Sequence, residues 1–503
     1  MTGPARSLAA RQGPIGAALV RVGLALAVAF AGIAGGAGYW QVLRSSDLSG
    51  APDDAAVIAA SRQVVRGLIT DRDGRQLAWN ARDSHGEPFR VYASPALSGV
   101  IGYAATQWGT AGLEQAWNAE LTGVRSADPL YDLTRKFRAG GNDPEDLRTT
   151  LVLSLQQKAV QLLGSDRGAV VLLDPRTGEV LVMASTPDFD ASAVANPTTS
   201  AKAFAALQAD PSRPLFPRAT SGTYVPGSIF KIVTAMAALS SGAISTSTTY
   251  PQQPAAETTG LLVDGFRVRD GHHRATDGTP VAFDRAVEVS CNIYFALTGL
   301  RTGGRQLLAT AASLGFGAQL PFDLSTSSSQ VTGGGGSFQG GFADEVELAN
   351  AAYGQAETLV TPLQMALVAA TVANDGVLMT PHLVLSASGA AGTTTIAPEV
   401  LRRVVSASVA GEIRDAMVLA VNGPIGRLFT AGAQVPGVQV AGKSGTAELD
   451  PGSSPHSWFI GFAPAGDAQV AIAVIVEHGG HGSERASPIA GAMLKAWRAW
   501  VAG

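Results

Sequence analysis

A serine and a lysine three residues apart, Ser228 and Lys231, are the first candidates for chemistry in this sequence. A serine hydroxyl is a poor nucleophile unless a base removes its proton. A lysine can be that base only if burial or a neighbouring cation lowers its pKa from about 10.4. On a helix the two side chains would share a face and could touch. Because this spacing arises often by chance, a helix cap and a solvated lysine remain the simplest alternative for the pair alone.

Two further groups of polar residues follow along the chain. Ser290-Cys291-Asn292 comes directly before an apolar helical pattern at 293–297. Lys443-Ser444-Gly445-Thr446 comes directly after an apolar strand pattern at 438–442. Lys443 is a candidate for the second cation that would lower the pKa of Lys231. Three such groups in this order and local context are rare by chance, which favours one composite site over three unrelated surface segments.

The element that must position the serine is a helix. Pro226 and Gly227 mark a loop, and the residues after them place apolar side chains at helical spacing. The sequence therefore predicts a helix that begins at Ser228. Free backbone N–H groups and the positive end of the helix dipole would stabilise negative charge at that position.

The wider pattern predicts an α+β fold. A terminal helix is expected at 487–501, and a long Ala-rich, largely helical stretch separates two groups of strands. The predicted strands are at 169–174, 179–184, 438–442, 457–462 and 469–476. This order predicts an antiparallel sheet with an inserted all-helical lobe. A cleft between the sheet and the lobe is the expected place for a site.

Composition limits the possible classes of protein. The chain has 503 residues, a net charge of −4 and hydrophobic residues at 46% of its positions. Two or three folding units with large apolar cores are therefore expected. The charge balance gives no basic face for nucleic acid, so that class is excluded. The single cysteine, Cys291, excludes a disulfide within the chain.

The N-terminal region predicts a membrane anchor. Val22 to Trp40 is uncharged, and these 19 residues at about 1.5 Å each approach the thickness of the hydrocarbon layer. Flanking arginines predict a cytoplasmic tail at 1–21, an anchor at 22–40, and the remainder outside the cytoplasm. A cleaved signal peptide is the alternative. Residues 41–150, which include an Asp73-Gly74 hairpin signal, are expected to form a small α+β module, and 151–503 the catalytic domain.

Other features that look chemical have simpler explanations. Gly222–Gly227 has the spacing of a phosphate-binding loop but lacks the lysine that must follow. His272-His273 lies without further ligands at metal-site spacing, and His478 and His481 are interpreted as solvated loop histidines. Cys291 is interpreted as a small buried filler. The sequence therefore predicts no metal and no cofactor.

The three polar groups, in order and context, resemble the signature of class B penicillin-binding proteins, which are peptidoglycan D,D-transpeptidases with an N-terminal anchor. Gly168–Glu179, Thr361–Ala366 and Ser457–Pro464 resemble further segments of that catalytic domain, which would cover about 151–503. Residues 39–123 resemble the N-terminal module of the penicillin-binding protein A group. Gly354-Gln-Ala-Glu departs from the Gly-Gln-Gly common elsewhere in class B.

The resemblance implies roles for the residues of the first two motifs. Ser228 would attack the carbonyl between two D-alanines of a stem peptide, and Lys231 would accept its proton. Ser290 would relay a proton to the leaving amine, and Asn292 would hydrogen-bond the substrate amide. An acceptor amine would then resolve the acyl-enzyme into a cross-link. β-Lactams would acylate the same serine.

The resemblance also implies roles for the third motif and for partners. Lys443 would help to keep Lys231 neutral and would attract the substrate carboxylate. Ser444 and Thr446 would bind that carboxylate, and the backbone N–H groups of Ser228 and Thr446 would form the oxyanion hole. Gly445 belongs to the same substrate-binding stretch. A membrane glycan polymerase is the partner that the family suggests.

Four alternatives stay open from the residues. In a D,D-carboxypeptidase, water would resolve the acyl-enzyme. A β-lactamase would need fast deacylation, and a β-lactam sensor very slow deacylation. The anchor and the N-terminal module argue against a β-lactamase, and the lack of a cytoplasmic effector argues against a sensor. A non-catalytic scaffold of a wall-synthesis complex is the fourth alternative, against which the intact Ser228, Lys231 and Lys443 count.

Overall fold

The computed structural model describes residues 65–124, 143–270, 278–449 and 452–503, together with Leu26 and Phe30. The four long ranges belong to one compact unit made of Val64–Arg125 and Ala139–Gly503. None of the helices in the described part of the chain has the length and apolar character needed to cross a membrane. The anchor predicted at 22–40 lies, apart from Leu26 and Phe30, outside the described residues and stays a prediction.

The strands of the described residues are short in the N-terminal region and longer around the predicted site. In chain order they are β1 (Ile69–Thr70), β2 (Gln76–Arg82), β3 (Pro88–Tyr92), β4 (Ala104–Ala105), β5 (Gly109–Thr110), β6 (Asp146–Thr149), β7 (Gly168–Leu173), β8 (Val180–Thr186), β9 (Leu261–Val263), β10 (Phe266–Val268), β11 (Val377–Met379), β12 (Val384–Gly389), β13 (Gly392–Thr395), β14 (Val400–Arg403), β15 (Ala441–Ala447), β16 (His456–Ala463) and β17 (Val470–Val476).

The helices lie mostly between β8 and β15. In chain order they are α1 (Leu113–Ala116), α2 (Asn118–Thr122), α3 (Leu153–Leu163), α4 (Ala191–Ala195), α5 (Ser200–Ala209), α6 (Arg218–Ser221), α7 (Lys231–Ser240), α8 (Gln253–Thr259), α9 (Phe283–Glu288), α10 (Asn292–Thr302), α11 (Gly304–Ser313), α12 (Glu345–Ala351), α13 (Pro362–Ala373), α14 (Ala407–Asn422), α15 (Gly426–Phe429) and α16 (Ala486–Ala502).

A five-stranded antiparallel sheet forms the centre of the molecule, in the order β15-β16-β17-β7-β8. Every residue of β16 and β17 is buried. Helix α13 packs against the sheet, as does α16, and separate apolar clusters lie around them. A sheet covered on both faces requires continuous apolar runs, which is why the sequence revealed these strands. The antiparallel sheet is confirmed, and β15 is one of its two edge strands.

The prediction of an all-helical insertion is wrong. Besides helices, the stretch between β8 and β15 contains a β9–β10 hairpin and a β11–β14 pair. It also contains β12 and β13, which join β6, β1, β2 and β3 in a six-stranded sheet. These strands are short, and β13 is exposed along its whole length. Each strand buries at most two apolar side chains, such as Val263, Leu378 and Val384, so the sequence shows no apolar period there.

Residues near the start of the described chain form the outer part of this six-stranded sheet. The turn at Asp73-Gly74 connects β1 to β2 in an antiparallel pair, as the sequence predicted. Gly74 has φ of 85°, a conformation that glycine adopts without steric cost. Because β6, β12 and β13 complete the same sheet, the N-terminal strands are joined directly to the insertion.

Candidate active site

Ser228 lies in a tight turn that is pressed against the edge strand β15. Gly227–Phe230 form a 3₁₀ turn, and α7 follows it from Lys231. The predicted helix therefore exists, but its α-helical part begins three residues later than expected. Gly227 has φ of 56°, and a Cβ there would lie 2.5 Å from the carbonyl oxygen of Thr446. Only glycine allows this approach, which brings the partly exposed Ser228 beside the third motif.

The loop before Ser228 is fixed by distant partners that the sequence analysis did not identify. The indole N–H of Trp458 donates to Val225 O at 3.0 Å. Tyr224 exchanges backbone hydrogen bonds with Val360 at 3.0 and 2.9 Å, and its hydroxyl donates to Glu477 Oε1 at 2.9 Å. These contacts hold the turn that carries Ser228 to the sheet. The sequence shows that Tyr224 and Trp458 carry a polar atom that needs a hydrogen-bond partner when buried, but it does not indicate which residues are those partners.

Lys231 is completely buried in the first turn of α7 and points its ammonium group at the second motif. Its Nζ donates to Asn292 Oδ1 at 2.7 Å and to Ser290 Oγ at 3.2 Å. A further hydrogen bond reaches the carbonyl oxygen of Ser290. Burial lowers the pKa of Lys231 to about 8, although the charge of Asp270 acts in the opposite direction. The lysine can therefore reach its neutral, basic form near physiological pH.

Ser290 has a backbone conformation that L-residues rarely adopt, with φ of 61°. It lies between the end of α9 and the start of α10 at Asn292. Cys291 is the N-cap of α10, and its sulfur accepts from the N–H of Tyr294 at 3.3 Å. The left-handed residue turns the chain so that both the carbonyl and the hydroxyl of Ser290 meet Lys231.

Lys443, on β15, contacts the same hydroxyl of Ser290. Its Nζ donates to Ser290 Oγ at 2.9 Å and to Ser444 O at 3.0 Å. Burial and the charge of Lys231 hold the pKa of Lys443 well below its usual range. The third motif lies inside β15, so its predicted place on a strand is confirmed. The strand begins at Ala441 and continues past the motif to Ala447, because the polar residues pair with β16, as in Lys443↔Ile460.

The remaining residues of the third motif form the wall next to Ser228. Ser444 and Gly445 are buried, and Thr446 is partly exposed. A Cβ on Gly445 would lie 2.8 Å from Pro226 O, so this glycine also permits the close approach of the turn that carries Ser228. The structure thus brings Lys231, Ser290, Asn292 and Lys443 into one hydrogen-bonded cluster and places the turn carrying Ser228 against β15.

One neighbouring group has the donor atoms of a metal site. Glu257, Asp270 and Cys291 bring one carboxylate or thiol atom each within 4.8 Å of one another. Cys291 is fully buried, as expected for a small filler, and burial raises the pKa of its thiol. A metal ligand must be the thiolate, which this environment disfavours. The group fits a packed hydrogen-bonded cluster better than a metal centre.

Comparison with known proteins assigns the chain to a family. A family model described as "Penicillin binding protein transpeptidase domain" matches residues 168–495, well over half of the chain. The chain belongs to the penicillin-binding protein transpeptidase family, and the transpeptidase fold predicted from the motifs is confirmed.

Its relatives include the penicillin-binding protein A group, as the resemblance of residues 39–123 indicated. The peptidoglycan D,D-transpeptidase PbpA of Mycolicibacterium smegmatis is 36% identical over 502 residues, which are 95% of this chain and 98% of the relative. PbpA of Mycobacterium tuberculosis is 34% identical over 480 residues, 91% of this chain and 94% of that protein. A solved structure of penicillin-binding protein A from M. tuberculosis, a ceftriaxone acyl-enzyme complex, has a TM-score of 0.75 at 30% identity and covers 87% of this chain and 99% of that one.

Proposed function

We propose that this protein is a serine D,D-transpeptidase that cross-links peptidoglycan stem peptides through an acyl-enzyme on Ser228. The observation that carries the proposal is the convergence of two buried lysines on one serine hydroxyl beside the nucleophile turn. Lys231 Nζ and Lys443 Nζ lie 3.2 and 2.9 Å from Ser290 Oγ. Two buried lysines with lowered pKa values beside one hydroxyl are suited to proton transfer.

Acylation begins with removal of the Ser228 proton by the neutral form of Lys231. Ser228 Oγ then forms a bond to the carbonyl carbon between the two terminal D-alanines, and the carbonyl oxygen becomes an oxyanion. Backbone N–H groups of Ser228 and Thr446 stabilise that charge. Because β15 is an edge strand of its sheet, N–H groups along its free side can bind a ligand without breaking strand pairing.

Collapse of this intermediate breaks the C–N bond and releases the last D-alanine. The leaving amine takes a proton through Ser290 Oγ, which both lysines contact. An acceptor amine then attacks the ester carbon and loses a proton to Lys231 by way of Ser290 Oγ. The bond between that carbon and Ser228 Oγ breaks, Ser228 Oγ takes the proton back from Lys231, and the new amide is formed. Asn292 orients the substrate amide, and Ser444 and Thr446 hold the substrate carboxylate beside Lys443. β-Lactams acylate Ser228 by the same first step.

The proposed place of this reaction is the outer side of a cell membrane. The uncharged run at 22–40, flanked by Arg21 and Arg44, supports a single N-terminal anchor. In this arrangement residues 1–21 are cytoplasmic, 41–150 form a non-catalytic module, and 151–503 act on the wall. A membrane glycan polymerase is the proposed partner. Protease digestion of intact spheroplasts tests the topology, since only an exposed catalytic domain is cut.

Transpeptidation and hydrolysis share every residue of this site, so products must separate them. The purified protein is incubated with a synthetic stem pentapeptide donor and a stem peptide that carries a free acceptor amine. A transpeptidase yields the cross-linked dimer and free D-alanine, whereas a D,D-carboxypeptidase yields only the shortened donor and D-alanine. Ser228→Ala is the control and yields neither. A non-catalytic scaffold would give no product from the unmodified protein.

A further inference from the structure

The loop that follows β17 lies directly against the strand that carries the third motif. Gly482 is buried there, and a Cβ at this position would lie 2.8 Å from the carbonyl oxygen of Gly445. The hydroxyl of Ser457 donates to His481 O at 2.8 Å, and the N–H of Glu484 donates to the same oxygen at 2.9 Å. The backbone of this loop is therefore fixed relative to β15 and β16.

Two groups of this loop reach the hydroxyl of Thr446. Nδ1 of His481 lies 3.4 Å from Thr446 Oγ1, and the N–H of Gly482 donates to the same oxygen at 3.4 Å. A hydroxyl has one proton to donate and two lone pairs that accept. Gly482 uses one lone pair. If Nδ1 of His481 carries a proton, it therefore donates to the second lone pair of Thr446 Oγ1. If Nδ1 carries no proton, it accepts the single hydroxyl proton of Thr446.

We propose that His481 is a positioning residue that directs the Thr446 hydroxyl toward the terminal carboxylate of the substrate. The inference rests on the proposed function, in which Thr446 binds that carboxylate. A carboxylate only accepts hydrogen bonds, so it needs the hydroxyl proton. When Nδ1 of His481 carries a proton, it donates to Thr446 Oγ1 and leaves the hydroxyl proton of Thr446 free to bind the substrate. When Nδ1 carries none, it accepts the hydroxyl proton, which is then not available to the substrate. Thr446 is partly exposed and His481 exposed, so a ligand can reach the pair from solvent.

Three substitutions at one position test the geometry. The amide nitrogen of an asparagine replaces Nδ1, whereas that of a glutamine lies nearer the position of Nε2. With a fluorescent penicillin, we expect His481→Ala and His481→Gln to raise the dissociation constant of the non-covalent complex about fivefold, the effect of one lost hydrogen bond. His481→Asn should stay near the unmodified protein, and the first-order acylation step should change little. His85→Ala, at an exposed histidine outside the site, is the control.

Two further readouts show whether the effect passes through Thr446 and the carboxylate. In a Thr446→Val background, His481→Ala should have no additional effect. Two thioester substrates are compared, one with a free terminal carboxylate and one with that carboxylate as a methyl ester. The His481→Ala substitution should raise the KM for the first substrate and not for the second. An equal rise in KM for both substrates would overturn the inference. So would one dissociation constant shared by the His481→Ala, His481→Asn and unmodified proteins. Retained label on Ser228 in the His481→Ala protein leaves the proposed function intact, whereas an unlabelled unmodified protein overturns both.

Discussion

Lys231 and Lys443 share the hydroxyl of Ser290, from which their Nζ atoms lie 3.2 and 2.9 Å. The two lysines are 0% and 2% exposed, so water cannot stabilise two full positive charges there. The charge of Lys231 adds to burial in lowering the pKa of Lys443, whereas burial is what lowers the pKa of Lys231. Lys231 therefore loses its proton at a lower pH than an ordinary lysine and can supply the base proposed for Ser228.

The rate of acylation should rise with pH through about 8. Burial lowers the pKa of Lys231 to about 8, so the protonated, unreactive form dominates below this pH and disappears above it. The first-order acylation constant of a fluorescent penicillin, measured by stopped flow from pH 6 to 9.5, checks this. A profile that is flat or falls between pH 7 and 9 would exclude Lys231 as the base.

Lys231→Met should reduce acylation about 10²- to 10⁴-fold, the usual contribution of a general base. Methionine fills the buried space without a charge to desolvate, so the thermal unfolding transition should stay cooperative. Lys202→Met, at an exposed lysine on α5, is the matched control and should acylate at the normal rate. Normal acylation of Lys231→Met would show that another group accepts the serine proton.

Ser290→Gly and Ser290→Ala should both impair acylation but should differ in stability. Both remove the hydroxyl that the two lysines share. The backbone φ of 61° is strained for alanine and not for glycine, so the glycine variant should be more stable by about 1 kcal/mol. Chemical denaturation of both proteins measures the difference. Equal stability, or a more stable alanine variant, would contradict the proposed strain at this residue.

Gly227→Ala should separate the nucleophile turn from β15. The new Cβ would lie 2.5 Å from Thr446 O, and φ of 56° adds strain. We expect a loss of about 1–3 kcal/mol in unfolding free energy and more than a tenfold loss in acylation rate. Gly242→Ala is the matched control, because φ there is 70° but nothing lies within 4 Å. Gly242→Ala should lose stability but keep the normal rate of acylation. Equal acylation rates in the two variants would show that the close contact does not matter.

The sequence predicted the chemistry of the site better than the geometry that supports it. The apolar runs of β16 and β17 and the three polar motifs were visible because burial on two faces and acyl-transfer chemistry restrict residue types locally. The left-handed backbone of Ser290 and the early 3₁₀ turn at Ser228 carry no such pattern. They depend on contacts made after folding, such as the close approach of Gly227 to Thr446.

Long-range polar contacts were the least predictable part of the site. The hydrogen bond from Trp458 to Val225 joins residues that are 233 positions apart. His481 looked like a solvated loop residue, because nothing in its neighbours along the chain indicates Thr446. The short strands of the insertion were missed for a related reason, since exposed strands such as β13 are stabilised by backbone pairing and not by an apolar pattern.

The most direct test of the account is the attachment site of a penicillin. The purified protein is treated with penicillin, digested, and analysed by tandem mass spectrometry, with the Ser228→Ala protein treated in parallel. We predict one adduct per chain, on the peptide that contains Ser228, and no adduct on the variant. An adduct on another residue, or the same adduct on Ser228→Ala, would contradict the assignment of the nucleophile.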